Sequence, residues 1–118
     1  MTALGASAVP YPMKTRCCGG VLMTTQRPIA LKLVADLLEP VLDADCIVTV
    51  CPLCQLNLEA YQRAVAGRLG QPVHVPIVYF TQLMGLAFAL PEAELDLDAK
   101  LVGTDHLMRQ IGRLSAWA

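Results

Sequence analysis

Two tight pairs of thiols could do chemistry in this chain: Cys17-Cys18-Gly19-Gly20 and Cys51-Pro52-Leu53-Cys54. Thiolates are soft nucleophiles and metal ligands, so paired thiols point to a metal centre or to redox work. The spacing of Cys51 and Cys54 lets both sulfurs reach one centre from the first turn of a helix, where free N–H groups and the helix dipole favour thiolate. Neighbouring side chains on an extended strand point to opposite faces. Cys17 and Cys18 therefore share a centre only on a turn, which Gly19 and Gly20 make accessible. Adjacent cysteines are awkward partners for an ordinary disulfide, whereas a cluster with several iron atoms can use both, each on a different iron.

The elements that must position these thiols follow from the apolar pattern. Residues 9–13 read as a short extended strand, because Pro10 and Pro12 push their predecessors away from the helical region. That strand would deliver Cys17 and Cys18 on a loop. Thr24 and Thr25 are N-cap candidates and Pro28 fits a first helical turn. Ile29, Leu33, Leu37 and Val41 then recur every four residues beside Val34, Leu38 and Leu42, an amphipathic helix that Pro40 bends or ends. Residues 46–50 are β-branched and apolar, as in a strand buried on both faces of a parallel sheet, with Cys51 at its end. A helix starts at Pro52 or Leu53, carries Leu56, Tyr61, Val65 and Leu69, and closes at Gly67, Gly70 and Pro72. Residues 75–80 read as a third strand, and Thr81 caps a short apolar helix over 82–90. Another turn starts at Pro91, and the tail over 101–118 has weak helical periodicity at Leu107, Ile111 and Leu114. The fold class is α/β: a small parallel sheet of about three to four strands with helices on both faces. In such a sheet the loops at the carboxyl ends of the strands lie side by side, so the two thiol pairs are expected to converge.

Composition bounds the rest. The 118 residues are 55% hydrophobic and 16% charged, which fits one globular domain over 1–118. A net charge of −1 without a Lys or Arg run argues against a nucleic-acid partner. The longest apolar stretches, 75–80 and 83–90, fall far short of the roughly 20 residues that cross a bilayer. The N-terminus lacks the pattern of a secretory signal, and five cysteines is an odd count for a disulfide framework. A soluble, cytoplasmic protein is the expectation. Cys46, at the start of a buried strand, reads as a small core residue. His74 and His106 stand outside the thiol loops and read as structural or solvated. Met13, Met23, Met84 and Met108 read as filler, Asp96 and Asp98 as a solvated face, and Trp117 carries no signal.

Cys17-Cys18-Gly19-Gly20, then Asp45-Cys46-Ile47-Val48-Thr49-Val50-Cys51-Pro52-Leu53-Cys54-Gln55-Leu56-Asn57-Leu58, then Tyr79-Phe80-Thr81-Gln82-Leu83, resemble the cysteine-rich CCG domain of the B-type subunit of heterodisulfide reductase, specifically its second, C-terminal copy. The resemblance extends over about residues 4–102. It implies that Cys17 and Cys18 match the family's adjacent pair and Cys51 and Cys54 its terminal pair. It further implies that these four hold a noncubane 4Fe–4S cluster that makes or breaks disulfides in one-electron steps. In the family a further cysteine lies upstream of the pair by more than the 16 residues that precede Cys17 here. The chain is therefore expected to be a C-terminal fragment of a larger polypeptide, inactive alone, and holding either no metal or zinc in isolation. Implied partners are an iron–sulfur electron-transfer subunit, a flavin subunit and a thiol or disulfide substrate, either a coenzyme M–coenzyme B heterodisulfide or a sulfur-carrying thiol. Two other readings of the same sulfurs stay open: a structural zinc site for subunit docking, and a cluster-free dithiol exchanger on Cys51 and Cys54.

Overall fold

Two apolar tripeptides make the sheet. In the computed structural model, which describes residues 1–115, β1 (Ile47–Thr49) and β2 (Ile77–Tyr79) pair in parallel, Ile47 opposite Ile77 and Thr49 opposite Tyr79. Side chains alternate across a strand, so Ile47 and Ile77 face one side while Val48 and Val78 face the other. Each side has its own core. On the first, α1 (Arg27–Leu38), α2 (Pro52–Ala60) and α3 (Gln62–Leu69) bring Val34, Leu38, Leu58 and Val65 to Ile47 and Ile77. On the second, α4 (Phe80–Ala87) and α5 (Asp105–Ser115) bring Leu86 and Leu107, with Leu97, to Val78 and Val48. The chain is thus a small α/β fold with helices on both faces of a parallel sheet.

The sheet has two strands among the described residues, where three to four were expected. Residues 9–13 form none, because Pro10 and Pro12 have no N–H to give a ladder. Tyr11 fixes this segment by another route, its hydroxyl donating to the Leu37 carbonyl at 2.7 Å.

Several helix boundaries also differ from the expected ones. Gln26, and not Thr24 or Thr25, precedes α1, and no side chain caps it. Pro28 does sit in the first turn, and Pro40 falls in a 3₁₀ turn (Glu39–Val41) just past the end. The buried stripe of α1 is Ala30, Val34, Leu37 and Leu38, while Ile29 is 51% exposed. The single helix expected after Cys51 is two, because the backbone leaves the helical region at Tyr61 (φ −107°, ψ 11°). Gln62 accounts for the break. Its buried amide donates to Val75 O at 2.7 Å and accepts from Val75 N at 2.9 Å, giving the approach to β2 the partner a neighbouring strand would supply. Gly70 ends α3 in the left-handed region (φ 69°).

Tyr79, not Thr81, precedes α4, and its N–H donates to the Gln82 side-chain oxygen at 2.9 Å. In α4 only Gly85 and Leu86 are buried, with Leu83 partly buried against the second core, and Phe88 and Leu90 just beyond it are exposed. In α5, Leu107 is buried and Ile111 half-buried against the second core. The side chain of Leu114 and all of Trp117 lie outside the described residues. No helix among the described residues is long and apolar enough to cross a membrane.

Candidate functional site

The second thiol pair is placed by the end of β1 and the start of α2. Cys51 stands extended (φ −122°, ψ 121°) just ahead of the helix, Pro52 occupies its first turn, and Cys54 follows within that turn. The first pair arrives from a loop wedged between two helices. Gly19 lies in the left-handed region (φ 71°), and a Cβ there would stand 2.7 Å from Leu33 Cδ1 and 3.3 Å from the Ala30 backbone. A Cβ on Gly20 would stand 2.7 Å from Leu53 Cγ. Gly19 thus has to lack a side chain, with the Ala30 backbone behind it and a left-handed φ, whereas at Gly20 the obstacle is the exposed Leu53 side chain, which can move.

A buried hydrogen bond then fixes its height. Asn57 Nδ2 donates to the Cys18 carbonyl at 2.9 Å. Asn57 lies three residues beyond Cys54, on the same side of α2. One face of a single helix thus carries the Cys54 sulfur and the amide that grips Cys18. Tyr79 secures the other flank, its hydroxyl donating to Val50 O at 2.9 Å and so tying the approach to Cys51 to the end of β2.

Of the four expected site residues, the structure brings three together. Cys18 is 2% exposed, Cys51 and Cys54 are half-buried, and Cys54 packs against the core that holds Cys18 and lies close enough to Cys18 and Cys51 for both to shift its thiol. Cys17 stands apart: it is exposed, and its Sγ accepts from Gly19 N–H at 3.4 Å. The two thiols of the C-x-x-C pair are electrostatically unlike. Burial first, then the contacts with Cys18 and Cys51, push the Cys54 thiol up to about 12. The backbone N–H of Cys54, then its side chain, hold the Cys51 thiol below its ordinary value. No side-chain hydrogen bond caps the start of α2.

As the side chains stand, no three Cys, His, Asp or Glu among the described residues are set around a common point as one metal ion requires. Cys54 links Cys18 and Cys51 pairwise, with Cys17 turned outward. The donor chemistry nonetheless fits a thiophilic centre: soft sulfurs from two separate segments, brought together by a loop with no room for a side chain at Gly19.

The remaining candidates lie elsewhere. Cys46 is at the amino end of β1, packed against the second core, and burial, with Asp45 next, pushes its thiol up to about 11. His74 and His106 are exposed and line a cavity of about 360 Å³ with Asp43, Asp105 and Arg109, where the strands begin and so at the end of the sheet away from the thiols. His106 Nε2 meets Asp45 Oδ1 there at 3.1 Å. A second cavity, of about 450 Å³, adjoins the thiols through Pro52 and is lined by Gln55, Tyr79, Thr81 and Gln82. Asn57, Tyr79 and Gln82 were not singled out from the sequence. All three stand in the segments that carry the family resemblance, and the three-residue step from Cys54 to Asn57 was a further readable signal.

The thiols of this small α/β domain thus meet at the carboxyl end of a parallel strand, as suits a cysteine-rich domain. The CCG cysteine-rich domain family matches residues 1–59, a span that holds all five cysteines, and the chain belongs to this family. It is similar to the B-type subunit of the ferredoxin/F420H2-dependent CoB–CoM heterodisulfide reductase of Methanosarcina acetivorans, 30% identical over 118 residues, 97% of this chain and 39% of that one. It is also similar to the 8-methylmenaquinol:fumarate reductase membrane anchor subunit of Wolinella succinogenes, 33% identical over 107 residues, 89% of this chain and 38% of that one. A protein of Archaeoglobus profundus, itself described as like the B-type subunit of heterodisulfide reductase, is 33% identical over 88 residues, 71% of this chain and 29% of that one. The chain spans about two-fifths or less of the length of the curated relatives it matches.

Proposed function

We propose that this chain is the thiol–disulfide redox domain of a heterodisulfide reductase-like complex, and that Cys17, Cys18, Cys51 and Cys54 hold an iron–sulfur cluster of the noncubane 4Fe–4S type. The observation that carries the reading is the meeting of Cys54 with both Cys18 and Cys51, which come from separate segments of the chain. When bound, such a cluster lets one-electron carriers serve two-electron disulfide chemistry. The chain's own residues supply its seat. Gly19 admits the loop, Asn57 sets the height of Cys18, and the first turn of α2 favours thiolate at Cys51.

Activity belongs to the assembled complex, with this chain as one part of a longer polypeptide, as the greater length of its relatives suggests, in which a further cysteine completes the ligand set. Its electrons come from an iron–sulfur subunit and a flavin subunit. Its substrate is a disulfide of the kind named for the Methanosarcina relative or a sulfur-carrying thiol. Five free thiols fit a reducing cytoplasm.

A second reading, a cluster-free dithiol exchanger, draws support from the opposite shifts of Cys51 and Cys54, which suit an attacking thiolate beside a resolving thiol. Anaerobic reconstitution with ferrous iron and sulfide, carried out on the longer polypeptide that supplies the further cysteine, separates the two. The cluster reading expects brown protein with stoichiometric iron and sulfide and a paramagnetic signal in one redox state, all lost in Cys18→Ala and Cys54→Ala. Protein that takes up one zinc and no iron, or that reduces a disulfide through Cys51 with no metal at all, would overturn it.

A further inference from the structure

Thr49 closes β1 two residues before Cys51 and is only 9% exposed. Its Oγ1 is the one buried side-chain nitrogen or oxygen among the described residues that has no hydrogen-bond partner. Buried polar groups are almost always paired, and each exception calls for a reason. The neighbouring buried polar side chains have one: Asn57 bonds Cys18, Gln62 bonds Val75 twice, and Glu59 accepts from Val102 N–H. Packing does not explain the hydroxyl either. Valine has the same shape and suits a buried strand better, and valine is what the chain uses at positions 48 and 50 on either side.

The face on which Thr49 lies gives the reason. Alternation puts it on the side of Ile47, whose core takes in Cys18 and has Cys54 packed against it. We infer that Thr49 is a positioning residue of the thiol site, its Oγ1–H reserved for a hydrogen bond to a sulfur of the centre, either a ligand thiolate or an inorganic sulfide. This rests on the cluster reading above. A hydroxyl donor aimed at sulfur stabilises the more negatively charged, reduced state, and so raises the reduction potential. The same hydroxyl gains nothing while the centre is absent.

The test compares the longer polypeptide that supplies the further cysteine with its Thr49→Val and Thr49→Ser variants, each with and without anaerobic loading of iron and sulfide. Without loading, T49V is expected to melt at or above the temperature of the parent chain, because the methyl fills the same volume and strands no hydroxyl. With loading, its midpoint potential in a dye-mediated titration is expected to move negative, while T49S, which keeps the hydroxyl, stays near the parent. An unloaded T49V that melts clearly lower would show that the hydroxyl already has a partner, and would overturn the inference. A loaded T49V with the parent's potential would overturn it while leaving the cluster reading intact. A parent polypeptide, further cysteine included, that takes up no iron and sulfide would sink the cluster reading and this inference with it.

Discussion

Cys46 shows how differently one chemistry behaves at the two ends of a strand. At the carboxyl end of β1, Cys51 has backbone N–H groups before it and a lowered thiol pKa. At the amino end, Cys46 is pressed against the second core and its thiol is pushed up to about 11, by burial first and by Asp45 second. A raised thiol pKa is a statement about stability. Folded Cys46 stays protonated while the unfolded thiol ionises near its ordinary value of 9.0. Its contribution is therefore fully present below about pH 9 and is lost as pH rises toward 11. Two pH units correspond to a loss on the order of 2 kcal/mol. Urea unfolding of Cys46→Ala at about pH 7 and about pH 10.5, on either side of the ordinary thiol value, checks this. The variant should lose less stability between the two pH values than the parent chain does, and parallel losses would show that Cys46 is not the group responsible. Cys54 titrates across the same window in both proteins and so cancels from the comparison.

At the scale of elements, the loop of Gly19 and Gly20 and the helix α3 set opposite demands on glycine. Gly19 combines a left-handed backbone with contacts at 2.7 and 3.3 Å for any added Cβ, whereas nothing lies within 4 Å of one on Gly67 in α3. Gly19→Ala should thus cost about 1–2 kcal/mol from the backbone alone, with the collision against Leu33 and Ala30 added. Gly67→Ala should gain about 0.5–1 kcal/mol by removing freedom from the unfolded chain. Denaturation midpoints of the two variants would read the contrast, and a neutral Gly19→Ala would mean that the loop is not held where it lies. The need for glycine in this turn was legible from the sequence, because adjacent cysteines can share a site only on a turn. The register of α1 was legible only in part, since Ile29 and Ala30 fit a helical repeat equally well and only tertiary packing exposes one and buries the other. The break at Tyr61 was not legible at all. It depends on a glutamine side chain standing in for a strand, which no Pro or Gly marks in the sequence.

For the molecule as a whole, the parallel crossover was readable from the order of apolar segments, and with it the convergence of two thiol segments at the carboxyl end of a strand. The number of strands was not, because two prolines remove from residues 9–13 the donors that a third strand needs. What results is a sheet too narrow to hold its own shape, so that its two cores are separate supports on opposite faces. Only the first of them takes in Cys18 and Cys54. Leu58, 4% exposed, lies on α2 beside Asn57 in that first core, and Leu107, 5% exposed, lies on α5 in the second. Truncating either to alanine removes a similar buried volume and should cost about 2–5 kcal/mol. The two variants should nevertheless differ at the thiols. In Leu58→Ala the helix that carries Cys54 and grips Cys18 loses its packing, so Cys18 should become reactive to a neutral alkylating reagent under native conditions at a rate well above that of the parent chain. In Leu107→Ala, at a matched loss of stability, Cys18 should stay protected. Equal exposure of Cys18 in both variants would mean that the molecule opens as one unit, and that the thiol site has no local support of its own.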